Sequence, residues 1–280
     1  MSHLADQPVR PEPLAPNNHH NGPFSGVVPK TMAMRSNTNL VSSEYWSNLY
    51  ASCQGPKTSI NPILRNWILD HIPPCQGSCF EVGCFPGSFL SVFGELGYEL
   101  HGIDLAPRVE SDLPLWLRDG GYRVGEIRQA DFLTFENRRL YDIVCSFGFI
   151  EHFTNWKDVL RKSASLVRKN GLLLVETPNY RGLLQLLTHA MLDWEGLLQH
   201  NVRAMDPRGW SRVLRGEGFS ISHCGYLGGI GFGVSPRRMS VFNRLGLRML
   251  KWIEKWVSPY LTRPCSFYSP FCGLIAKRSS

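Results

Sequence analysis

The chain lacks any uninterrupted run of about 18 apolar residues, so no segment reads as a membrane-spanning helix. No apolar stretch follows a basic start. Residues 1–30 carry Pro8, Pro11, Pro13, Pro16, Pro23 and Pro29 instead, so a secretory signal is not supported. The eight cysteines form no C-x-x-C pair. Cys75, Cys79 and Cys84 lie close together, but no second ligand pair follows at a finger-like distance, so a metal site is not expected. Reduced cysteines in a cytoplasmic protein are the better reading. Charge is sparse as well, at 19% of residues, and it is unevenly placed. Residues 236–280 hold nine Lys/Arg and one acid, Glu254, leaving 21 basic and 22 acidic side chains for the rest. The net charge of +7 therefore belongs to a tail, and a nucleic-acid binder basic all over is excluded.

What is present is a core. Of 280 residues, 43% are hydrophobic, enough for one sizeable domain with additions. Residues 1–37 read as a disordered arm that buries too little to offset its ordering entropy. Residues 38–73 read as a helical lid, with one helix opened by Ser42-Ser43 and another by Asn61-Pro62. After Pro73-Pro74 the pattern alternates. Strands are expected at 78–83, 98–104, 122–130, 141–148 and 171–178, with helices at 87–96, 107–119 and 155–169. Near-continuous apolar strands separated by helices argue for an α/β doubly wound sheet, Rossmann-like, over 74–280. Residues 180–205 form a cap insertion, 207–217 a helix, and 218–228 and 268–277 two closing strands.

The strongest local signal is CFEVGCFPGSFL at 79–90. An apolar strand ends in Glu81-Val82-Gly83, turns through Cys84-Phe85-Pro86-Gly87 and enters a helix. Such turns lie at the carboxyl edge of a sheet, where α/β proteins bind ligands. A dinucleotide fingerprint needs Gly at 85 and 88, where this chain has Phe and Ser. An acid two residues before the first glycine fits a nucleoside site of the methyltransferase kind, with only Phe85 departing from its G-x-G-x-G. The next strand ends at Asp104, placed to accept ribose hydroxyls, and Asp131 with Phe132 follows the third strand. Their appearance at successive strand ends makes a joint signal that no single acid carries.

In EVGCFPGSFL, GIDLAP, ADF, YDIVCSFGFIEH and LVRKNGLLLVETPN, in that order, the chain resembles a class I S-adenosylmethionine-dependent methyltransferase. The resemblance is nearest to the small-molecule branch that includes ubiquinone-biosynthesis type O-methyltransferases. It implies a seven-stranded sheet with an antiparallel last strand. It also implies S-adenosylmethionine bound by Glu81, Gly83, Cys84, Phe85 and Gly87 at the methionine end, Asp104 and Leu105 at the ribose, and Asp131 and Phe132 at the adenine. Ser146 and Phe147 would lie beneath the sulfonium. Tyr45, with Trp46 and Tyr50, is expected to fold over the cofactor and exclude water.

Methyl transfer from a sulfonium needs a base only for a protonated acceptor. His200 in the cap is the preferred base, and His152 at the fourth strand's mouth a positioning group or second candidate. The fourth strand carries SFGF where amine-methylating enzymes of bases carry N/D-P-P-Y/F, Ser146 where catechol-type enzymes carry a metal-binding Asp, and one glutamate where arginine methyltransferases use two. A small-molecule acceptor remains, methylated at oxygen and less readily at nitrogen, and no nucleic acid. The alternative is a non-catalytic cofactor-binding partner of another enzyme. The helix expected at 238–257 sets Arg244, Arg248, Lys251 and Lys255 on one face and Phe242, Leu245, Met249, Trp252, Ile253 and Trp256 on the other. It reads first as a cover packed on the sheet by its apolar face. Contact with a membrane surface and attraction of an anionic acceptor are the other readings.

Overall fold

The computed structural model describes residues 38–279 apart from 52, 54, 57–59 and 235–240. The arm expected at 1–37 and the basic residues Arg237 and Arg238 lie outside the described residues. The chain opens with α1 (Ser43–Tyr50), α2 (Pro62–His71), β1 (Ser78–Val82), α3 (Ser88–Glu95), β2 (Glu99–Asp104), α4 (Leu113–Asp119) and β3 (Val124–Gln129). It continues through β4 (Tyr141–Phe147), α5 (Trp156–Ser165), β5 (Val167–Pro178), α6 (Leu183–Leu192) and α7 (Trp194–Leu198). It closes with α8 (Pro207–Gly216), β6 (Phe219–Leu227), α9 (Val241–Val257) and β7 (Phe271–Arg278).

The helix starts follow from local chemistry. Ser42 Oγ accepts from Tyr45 N–H at the head of α1, and Asn61 Oδ1 accepts from Ile63 N–H at the head of α2, whose first residue is Pro62. Gly87, at φ +90°, turns the chain into α3, and Gly83, at φ +77°, leaves β1; both conformations favour glycine.

The strands form one seven-stranded sheet in the order β3-β2-β1-β4-β5-β7-β6. The first five are parallel, and β7 runs antiparallel to both β5 and β6. Alternation along β1 feeds both sides of this sheet. Cys79 joins a core with Leu64, Trp67, Ile68, Leu90, Phe93 and Leu117 from α2, α3 and α4. Phe80 and Val82 join another with Val159, Leu160, Trp210 and Leu214 from α5 and α8. Between β1 and β4 the strand order reverses, which opens a crevice at the carboxyl edge.

Some boundaries differ from the sequence reading. The helix expected at 155–169 ends at Ser165, because Val167 already pairs with Tyr141 and Asn170, at φ +60°, turns the chain within β5. The lid expected over 38–73 divides in two: α2 buries Leu64, Trp67 and Ile68 in the body, and Asn39 and α1 line the crevice. The first reading of α9 is overturned. Leu245, Met249, Trp252 and Trp256 are exposed, and the helix seats a third face, carrying Gly246, Leu247, Leu250, Glu254 and Val257.

One glycine is fixed by its neighbour across the sheet. A Cβ at Gly125 would overlap the ring of His101, which is fully buried and holds Glu126 N–H on Nδ1. Gly125→Ala is expected to destabilise the protein by about 1–3 kcal/mol. Urea unfolding followed by circular dichroism checks this, and an unchanged midpoint would contradict it.

Candidate active site

Four strand ends build the crevice. Gly83 and Phe85 come from the turn after β1, Asp104 and Leu105 from the end of β2, Ala130, Asp131 and Phe132 from beyond β3, and Phe147, Gly148 and Phe149 from the end of β4. Including the open solvent at its mouth, the cleft encloses about 680 Å³.

Asp104 organises its floor. Oδ2 accepts from Phe85 N–H at 3.0 Å and Oδ1 from Ala106 N–H at 2.8 Å. One carboxylate thus ties the turn after β1 to the end of β2. Each oxygen keeps a second lone pair, available to a ligand hydroxyl. Burial raises the Asp104 pKa, against the lowering effect of backbone N–H groups. Glu81 lies in the strand behind, 2% exposed, and Oε2 has no hydrogen-bond partner among the described residues. Burial first, and the charge of Asp104 second, push its pKa well above the usual range. Gly83 is obligatory for packing too, since a Cβ there would meet Phe149 Cδ2 at 2.7 Å.

The cover comes from the N-terminal side. Residues 38–40 run antiparallel to the segment after β4: Leu40 N–H donates to His152 O at 2.8 Å and Thr154 N–H to Thr38 O at 2.9 Å. That pairing holds α1 at the crevice. The Tyr50 ring meets Phe85 at 5.4 Å and the Trp46 ring meets His152 at 5.1 Å, and both aromatics line the cleft.

At the far end polar groups gather. Glu151, His152 and His200 each offer an atom within 4.8 Å of the others. Both carboxylate oxygens of Glu151 are buried without a hydrogen-bond partner among the described residues, and burial pushes its pKa up to about 8. His152 Nδ1 donates to Gln199 O at 3.0 Å, and His200 Nδ1 donates to Gly196 O at 2.6 Å. A carbonyl only accepts, so Nδ1 carries the proton of each neutral ring. Burial lowers His152 to about 4, helped by the charge of His200, and burial also lowers His200. Beyond them, the Tyr180 ring lies 4.8 Å from His200 and 3.8 Å from His189. Such a set can accept a proton, or hold a divalent cation that would ionise Glu151. No spacing motif announced it, because the segment after β4 supplies two of its members and the cap the third.

Of the residues singled out from sequence, Gly83, Phe85, Asp104, Leu105, Asp131, Phe132, Phe147 and His152 line the cleft. Glu81, Cys84 and Ser146 sit buried just behind it, and Gly87 packs beneath Leu113. Ser146 Oγ, like Glu81 Oε2, has no partner among the described residues. Tyr45 is not among the lining residues, and its neighbours Trp46 and Tyr50 are. His200 stacks one ring further in, 4.7 Å from His152. Sequence reasoning missed Asn39, Ile103, Ala130, Gly148, Phe149 and Phe153 in the lining. Phe149 and Phe153 were legible as aromatics flanking EH, while Asn39 reaches the cleft only through the strand-like pairing with Phe153.

Comparison with known proteins agrees with this geometry. A family model described as a methyltransferase domain matches residues 60–223. The ubiquinone biosynthesis O-methyltransferase of Stutzerimonas stutzeri (strain A1501) is 29% identical over 126 residues, 44% of this chain and 54% of that protein. The protein of the same name from Xanthomonas axonopodis pv. citri is 25% identical over 160 residues, 52% of this chain and 67% of its own. The chain thus spans about half the length of the first of these relatives. Two solved structures share the fold. A putative methyltransferase from Bacillus halodurans C-125 has a TM-score of 0.50 at 16% identity, covering 78% of this chain and 99% of that one. A putative sarcosine dimethylglycine methyltransferase from Galdieria sulphuraria has a TM-score of 0.50 at 12% identity, covering 85% and 98%. With the match covering more than half of the chain and all four strand ends that build the crevice, the chain belongs to the methyltransferase domain family, the S-adenosylmethionine-dependent group that its motifs resemble.

Proposed function

We propose that this protein transfers a methyl group from S-adenosylmethionine to an oxygen of a small-molecule acceptor. The observation that carries the reading is the Asp104 carboxylate, which ties the glycine turn, through Phe85 N–H, to the loop after β2, through Ala106 N–H, and keeps a lone pair on each oxygen. The residues present fit the cofactor. Asp104 would hold the ribose hydroxyls, Asp131 and Phe132 the adenine, and a cationic ligand would favour ionisation of the buried Glu81 beside Asp104. When bound, the cofactor supplies an activated methyl on a sulfonium, so the protein's part is mainly to position, a contribution of roughly 7–11 kcal/mol. Trp46 and Tyr50 exclude water from the cleft.

The acceptor's proton is the remaining task. Neutral His200, with its proton held on Nδ1 by Gly196 O, offers Nε2 as the acceptor, and His152 orients the substrate between it and the cleft. Support for oxygen over nitrogen comes from the curated relatives, both named for O-methylation.

Isothermal titration with S-adenosylmethionine tests the cofactor site. Binding by the wild type and a loss of about 10–100-fold in Asp104→Ala are expected, since a charge-assisted hydrogen bond contributes about 1.5–3 kcal/mol. No binding by the wild type would remove the reading, and binding without release of S-adenosylhomocysteine would favour a non-catalytic partner protein.

His200→Ala is expected to lower kcat by about 10²–10³-fold with cofactor affinity intact. The sign of the pH dependence follows from burial. A lowered imidazole stays neutral at pH 7, so turnover holds there and falls only as pH drops below the ordinary histidine range, about 6.5. A limb rising through about 8 would assign the proton to Glu151 instead. Loss of turnover on dialysis against a chelator, restored by a divalent cation, would assign all three side chains to a metal.

A further inference from the structure

Helix α9 is amphipathic in an unusual sense: its outer surface carries two stripes side by side. At 100° per residue, Leu245, Met249, Trp252 and Trp256 form one stripe, and Arg244, Arg248, Lys251 and Lys255 another, about 100° away. The remaining third, Gly246, Leu247, Leu250, Glu254 and Val257, faces the body and is half-buried. There Glu254 accepts from Phe232 N–H at 3.3 Å, and a Cβ on Gly246 would stand 3.5 Å from Leu192 of α6. Packing is therefore satisfied by one face, and both stripes meet solvent.

The neighbouring cap also exposes large apolar side chains. On α6, Leu183, Leu187 and Met191 recur every four residues, and Trp194 and Leu198 follow on α7. These five and the four on α9 are each between 51% and 74% exposed. Nine large apolar side chains on adjoining helices exceed the scattered exposure normal for a monomer.

We propose that α6, α7 and α9 together form a surface that lies on an anionic lipid bilayer. The occupant follows from charge and side-chain type. Four basic residues run the length of α9; its single acid, Glu254, pairs with Lys251 at 2.7 Å, and the remaining excess of positive charge, at Arg244, Arg248 and Lys255, matches anionic headgroups. Three of the nine apolar residues are tryptophans, which favour the boundary between headgroups and acyl chains. In a symmetric contact a second copy would set the same basic stripe against this one, like charge against like. No helix among the described residues is long and apolar enough to cross a membrane, so the surface rests on the bilayer. The cap that carries it also supplies His189 and His200, so docking sets the polar end of the cleft close to the lipid boundary.

Vesicle flotation tests this independently of methyl transfer. The probes are phosphatidylcholine alone and phosphatidylcholine with about 30% phosphatidylglycerol. The protein is expected to float with the anionic vesicles at low salt, to leave them at high salt, and to ignore the neutral ones. Trp252→Ser/Trp256→Ser is expected to abolish flotation. Arg244→Gln/Arg248→Gln is expected to weaken it about 30-fold, from roughly fivefold per basic residue near an anionic surface. Unchanged circular dichroism and unchanged calorimetry with S-adenosylmethionine show that each variant is folded. Absence of flotation at low salt overturns the proposal, as does flotation that neither pair of substitutions alters. A dimer in light scattering that the tryptophan variant dissociates, without vesicle binding, assigns the surface to a second copy and overturns it too.

Discussion

Everything at the crevice depends on one carboxylate that accepts from two strands' ends at once. Asp104 closes β2, and its two oxygens fix Phe85 N–H of the turn after β1 and Ala106 N–H of its own loop. Without it the turn would have an unpaired buried donor, at a cost of about 1–3 kcal/mol. Gly83 and Gly87 can then hold left-handed conformations, and Phe149 can close over Gly83 from the β4 side. Burial first, and the charge of Asp104 second, raise the pKa of Glu81 behind it, so the floor of the cleft holds two poorly solvated carboxyl groups. That is an unfavourable arrangement for an empty protein. In the proposed function it becomes favourable, because a cationic ligand with two hydroxyls compensates both the charge and the spare lone pairs.

The opposite end of the cleft follows a different logic. Glu151, His152 and His200 are each held in the uncharged form by burial, and the carbonyls of Gln199 and Gly196 fix the imidazole tautomers. In the proposed function this neutral set stands apart from the Asp104 and Glu81 carboxyls, which separates taking an acceptor's proton from holding a cation. The cap contributes to both the chemistry and the surface, since the helices that place His189 and His200 inside expose Leu187, Met191 and Trp194 outside. Segments with two faces of this kind are costly to leave exposed, which is the reason to seek a use for them.

Much of the fold was legible in the sequence because strand and helix patterns are local. The strands at 78–83, 98–104 and 141–148, and the antiparallel close at 268–277, match β1, β2, β4 and β7 closely. Asp104, Asp131 and Phe132 were legible because they stand where strands end, and the doubly wound topology brings strand ends together. What was not legible depends on contacts between distant segments. The choice among Tyr45, Trp46 and Tyr50 rests on how α1 is rotated, which the pairing of 38–40 with 152–154 decides. The proximity of Glu151 to His200 rests on the path of the cap. For α9, a helical wheel distinguished basic from apolar residues correctly but had no way to show that a third face, small and mixed, is the one that packs.

The central claim is that Asp104 serves both the glycine turn and a bound nucleoside. A crystal structure with S-adenosylhomocysteine bound tests this most directly. The expected result places both ribose hydroxyls within hydrogen-bond distance of the Asp104 oxygens, with Phe85 and Ala106 N–H still donating, and the adenine beside Asp131 and Phe132. A ligand seated outside this cleft, or a ribose that leaves Asp104 untouched, would contradict it.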